Sequence, residues 1–72
     1  MFYINLAGKV IESKKNPLMA IRKIIGYSAT GKIRLHVYTE YQPFLIDQYI
    51  TESQADKITG HFDKGVKNAV ES

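Results

Sequence analysis

Gly31-Lys32-Ile33-Arg34-Leu35-His36-Val37-Tyr38 alternates between apolar and polar residues without a slip. Ile33, Leu35 and Val37 fall on one side of an extended chain; Lys32, Arg34, His36 and Tyr38 fall on the other. A period of two is the pattern of a strand with one face in a core and the other in water. The wet side carries two fixed positive charges, a titratable ring and an aromatic. It is the first candidate surface, and the fold has to be built around it.

Toward the C-terminus, the strand is expected to run over 32–40. Tyr41-Gln42-Pro43 turns the chain, and 44–49 reads as an antiparallel return. Thr51 and Gln54 have capping-box spacing, and Glu52 and Asp56 suit the positive start of a second helix. Ala55, Ile58, Phe62, Val66 and Ala69 recur at spacings of three and four, which makes an apolar stripe. Asp63 and Lys67 form an i,i+4 pair on the outside. Gly60 and Gly65 each cost a helix about 1 kcal/mol relative to alanine, so they mark a close approach or a kink.

Toward the N-terminus, Tyr27-Ser28-Ala29-Thr30-Gly31 is a loop. Before it, Asn16-Pro17 is a helix start: asparagine satisfies orphan N–H groups, and proline is tolerated at the first helical position. Gly26 is placed to end the helix. Leu18, Ile21 and Ile25 make its buried stripe, with Ile24 beside it, while Arg22 and Lys23 lie off that stripe. The same residues are β-competent, and the paired start and stop signals decide for a helix. Phe2, Ile4 and Leu6 open the chain as a strand. After Gly8, Lys9-Val10-Ile11-Glu12 resumes β-type composition. Ala7-Gly8 is read as a hairpin turn. One long strand bent at a bulge is the rival, because positions 2, 4, 6 and 10 keep phase.

The expected fold is therefore α+β: a small antiparallel sheet of three or four strands with two helices on one face, in the order β(β)αββα, forming a single domain over 1–72. Ile24 and Gly26 after Lys23 echo Ile58 and Gly60 after Lys57, too few matches to define a repeat. A chain of 72 residues buries only about 60% of its unfolded surface, and without cysteine it has no disulfide or thiolate metal site to stabilise it. Association into a homodimer would help. No apolar run approaches the roughly 18 residues of a membrane span, and the first residues lack a basic n-region, so a cytoplasmic protein without a membrane partner is expected.

The net charge of +3 is unevenly distributed. Residues 1–36 hold seven Lys/Arg and one acid; residues 37–72 hold three Lys and six acids. Such asymmetry points to a polyanion or an acidic partner. Gly26 to Lys32 has most of a phosphate-loop pattern. However, Ile33 stands where a magnesium-holding Ser or Thr is needed, and the flanking strand and helix are in the wrong order. His36 and His61 have no further His or Cys with which to build a metal site. No convergent acid, base or nucleophile is evident, so neither catalysis nor a cofactor is expected.

The leading expectation is nucleic-acid binding, to DNA or RNA, along the phosphate backbone. Lys32 and Arg34 would lie about 6.8 Å apart on one strand, similar to successive phosphates. Tyr38 would stack on a base beside His36, and Arg22, Lys23, Lys14 and Lys15 would extend the contact. The alternative is a small protein-interaction module, a regulator or inhibitor that meets an acidic protein surface. Five tyrosines and three phenylalanines are many for so small a core, and surplus Tyr with Arg is interface chemistry.

Overall fold

The computed structural model describes residues 1–27 and 29–62. Two hairpins, each followed by a helix, make up the fold: β1 (Phe2–Leu6), β2 (Lys9–Ser13), α1 (Leu18–Ile25), β3 (Ile33–Thr39), β4 (Ile46–Ile50) and α2 (Glu52–Phe62). The strands form one antiparallel sheet in the order β2-β1-β3-β4. The first strand of each hairpin is thus central, and the order reads the same when the two ββα units are exchanged. The Lys-Ile echo does not follow this symmetry, since Gly26 ends α1 while Gly60 lies within α2.

The hairpin reading of the first strands is correct, and the turn geometry explains it. Ala7 and Gly8 both have positive φ, 52° and 93°, the condition for a two-residue turn whose twist matches its strands. Asn5 Oδ1 accepts the Gly8 N–H at 2.9 Å, fixing the corner. The register pairs Leu6 with Lys9 and Ile4 with Ile11. Ile11, not Val10, is therefore the core residue; Val10 is exposed on the opposite face.

Helix α1 starts at Leu18, one residue later than proline at the first helical position implies. Pro17 is the cap, and Asn16 Oδ1 accepts the Leu18 N–H at 2.9 Å. Gly26, at φ 62°, ends it and returns its N–H to the Arg22 carbonyl. The capping box of α2 is complete: Thr51 Oγ1 accepts the Gln54 N–H at 3.2 Å and Gln54 Oε1 accepts the Thr51 N–H at 2.9 Å. Gln54 Nε2 also donates to the Ile25 carbonyl at 2.9 Å, tying the start of α2 to the end of α1. Asp63, Gly65, Val66, Lys67 and Ala69, expected to continue α2, lie outside the described residues.

Strand β4 begins at Ile46 rather than 44. The Leu45 N–H donates to the Val37 carbonyl, while the ladder sets Ile46 opposite Val37, so two residues face one in a bulge. Strand β3 is likewise shorter than 32–40 at each end, with Lys32 just ahead of it. The turn between them is held by Thr39, whose Oγ1 accepts the N–H groups of Tyr41 and Gln42.

The core lies between sheet and helices. Ile4, Leu6, Ile11, Leu35, Val37, Ile46 and Ile50 come from alternate strand positions, and Ile21, Ile25, Ala55 and Ile58 from the helical stripes. Both helices cover the same face, so among the described residues nothing covers the odd positions of β1 and the even positions of β3. Among the described residues, no helix is long and apolar enough to cross a membrane.

Candidate interaction face

The uncovered face has a defined layout because the registers fix its rows. Glu12, Tyr3 and Tyr38 lie abreast across β2, β1 and β3; Val10, Asn5, His36 and Asp47 lie abreast across all four strands; Arg34 and Tyr49 face one another across β3 and β4. These nine positions include no lysine.

An aromatic line crosses this face. Tyr3 stacks on Tyr38 with ring centroids 5.2 Å apart, Tyr38 meets His36 at 4.8 Å, and His36 stacks on Phe44 at 5.3 Å. His36 Nε2 lies 2.6 Å from the Pro43 carbonyl oxygen and donates to it in the tautomer that protonates Nε2, which anchors the β3–β4 turn over the sheet. Phe44, at the end of the line, is 67% exposed, and Tyr49 on β4 is 51% exposed. A shallow depression of about 170 Å³ opens between Asn5, Ala7, Gly8, Arg34 and His36, room for one side chain.

Two ion pairs brace the face. Arg34 donates through Nε and Nη2 to the two oxygens of Asp47, both at 2.9 Å. That bidentate contact holds the Asp47 carboxyl below its ordinary range and pushes the guanidinium further up. Glu40 accepts from the Tyr3 hydroxyl at 3.1 Å and from the Met1 amine at 3.3 Å. Its carboxyl is held low, first by its own backbone N–H and then by these two partners. The bond to Glu40 raises the Tyr3 phenol. Both pairs are exposed, so they fix side-chain positions more than they stabilise the fold.

The eight residues singled out in the sequence separate into two sets. Arg34, His36 and Tyr38 stand together on the open face, and Lys32 is exposed just ahead of it. Lys14 and Lys15 are exposed in the β2–α1 connection, and Arg22 and Lys23 lie on the exposed surface of α1, in the layer behind the sheet. Asp47, Tyr3, Asn5, Tyr49 and Phe44 belong to the face but were not singled out. The alternation of β1 already signalled Tyr3 and Asn5. Asp47 as the partner of Arg34 needed the β3–β4 register, which the bulge at Leu45 displaces by one residue. Among the described residues, no group of three His, Asp or Glu side chains is placed to hold a metal ion. The chain matches no protein-family model, and comparison with curated proteins and with solved structures gives no significant match.

Proposed function

We propose that this chain is a non-catalytic protein-docking module, a regulator or inhibitor that lays its open sheet face against a partner protein. The composition of that face carries the reading: Tyr3, Tyr38, Tyr49, Phe44 and His36 share it with one ion-paired arginine, with no lysine in the rows. Recognition cores of interfaces are rich in Tyr, Phe and Arg and poor in Lys. The rings of Tyr3, Tyr38, His36 and Phe44 are already ordered by mutual contact, so docking costs them little side-chain entropy. Arg34 comes charge-balanced by Asp47, which suits an apolar or mixed partner surface better than a polyanion.

Nucleic-acid contact is the second reading, and one observation favours it. Asp47 engages Nε and Nη2 of Arg34, leaving Nη1 turned away from the pair, with Lys32 exposed nearby. A guanidinium held in this way still presents a fork to a base edge.

Site-specific photocrosslinking from positions 44 and 49 in cells tests the proposal. The expected result is a crosslinked protein that binds the purified chain in titration, with at least tenfold weaker binding to Tyr49→Glu. A second copy of the chain counts among such partners, and sedimentation velocity identifies that case. Binding unchanged by Tyr49→Glu would overturn the proposal. So would a complex formed only with DNA or RNA and lost steeply with salt, which the second reading expects.

A further inference from the structure

Behind the sheet, α1 and β4 leave an open groove of about 1290 Å³ between them. Leu18, Ile25 and Leu45 supply an apolar floor. Met19, 73% exposed, and Tyr27, fully exposed, stand at its margin. Arg22 and Lys23 also line it, both exposed, and neither has a carboxylate partner among the described residues. Among the described residues Asp47 is the one acidic residue along the lining, and its carboxylate is turned to the opposite face of the sheet and held by Arg34. The groove thus combines a hydrophobic trough with two positive charges that no described carboxylate balances. β4 is the edge strand of the sheet, so nothing else in the sheet covers this side.

We infer that this groove is a second docking site, for an acidic amphipathic helix of another protein. Charge complementarity selects the occupant. Apolar residues at i, i+3, i+4 and i+7 would lie on Leu18, Ile25 and Leu45, and flanking glutamates would meet Arg22 and Lys23. Met19 gives the margin an adaptable surface that repacks around different side chains. Lys14 and Lys15, just before Asn16 at the start of α1, add to the positive field that draws an acidic segment in. With the aromatic face on the opposite side of the sheet, the molecule would join two partners at once. This site is independent of the docking face and stands or falls separately.

The test is fluorescence anisotropy with a labelled 14-residue helical peptide carrying leucine at i, i+3, i+4 and i+7 and glutamate elsewhere. Its counterpart with lysine for glutamate is the control. The acidic peptide is expected to bind, to weaken as salt is raised, and to shift amide resonances of α1 and β4 in NMR spectra. Arg22→Glu with Lys23→Glu is expected to weaken binding at least tenfold. Tyr49→Glu, on the other face, is expected to leave it unchanged. If the double variant misfolds, Met19→Glu on its own serves, with the same expected loss. Equal binding of both peptides, no loss on charge reversal, or perturbed resonances confined to the open sheet face would each overturn the inference. So would preferential binding of a short single-stranded oligonucleotide at the same residues.

Discussion

Replacing Gly31 with alanine should damage this fold far more than an exposed loop position suggests. A Cβ built there would lie 2.1 Å from the Ile50 carbonyl oxygen, 2.2 Å from its carbon and 2.5 Å from the Thr51 nitrogen. Ordinary contact begins near 3.4 Å, so the backbone would have to retreat by roughly 1.3 Å. The atoms in the way are not a pliable side-chain tip. Ile50 closes the β3–β4 ladder opposite Ile33 and is fully buried. Thr51 holds the capping box of α2. Losing the cap costs about 1 kcal/mol, a ladder hydrogen bond about 1, and imperfect reburial of Ile50 about 1 more. A total near 3 kcal/mol is a large part of the roughly 4–11 kcal/mol expected for a domain of this size. It corresponds to a Tm lower by roughly 15 °C. Gly60→Ala is the control, because its Cβ would meet nothing within 4 Å and helix propensity should raise stability by about 0.8 kcal/mol. Urea unfolding followed by far-ultraviolet circular dichroism, with thermal melts, reads both. A Gly31→Ala protein melting within about 2 °C of wild type would show that the β4–α2 junction yields freely, and the reasoning would fail.

Four further outcomes are expected. Ala7→Asn should stabilise by about 0.5–1 kcal/mol in urea titration, because asparagine accepts the positive φ that alanine resists. Gln54→Ala should lower stability by about 1–2 kcal/mol, since it removes both the capping bond to Thr51 and the bond to the Ile25 carbonyl. Asp47 and Glu40 both titrate below their ordinary values when folded, so each contributes stability above the unfolded pKa that is lost as pH falls through the folded one. Asp47→Asn should therefore flatten the decline in stability on the acid side of pH 4 and leave its shape near pH 7 unchanged, checked by urea midpoints across pH. Phe44→Ser should change Tm by less than about 3 °C, since the ring is mostly exposed, while weakening any complex formed by the open face.

The fold was legible wherever local chemistry agreed with periodicity. The alternation of 33–37 located the central strand, Gly26 and the Thr51–Gln54 pair set helix limits, and the stripes of Ile21, Ile25, Ala55 and Ile58 became the core. Boundaries slipped where a backbone event intervened. The bulge at Leu45 delayed β4, and Pro17 took the cap rather than the first turn. The face was half legible. Outward residues of β3 were visible by alternation, but the neutralisation of Arg34 by Asp47 depends on a cross-strand register that no local pattern encodes. For the same reason, the lysines and arginines counted together along the chain separate in space, some beside the open face and others behind the sheet.

The placement of the first strand of each hairpin at the centre has a bearing on assembly. The two ββα units meet along a seam where β1 pairs with β3, and residues 26–32 alone carry the chain from one unit to the other. A β3 from a neighbouring molecule offers the same seam. At high protein concentration, or after shortening that connection, exchange of whole units between chains becomes a route to an intertwined dimer. In that dimer the contacts between strands and helices are kept, and the connection with its own contacts changes course.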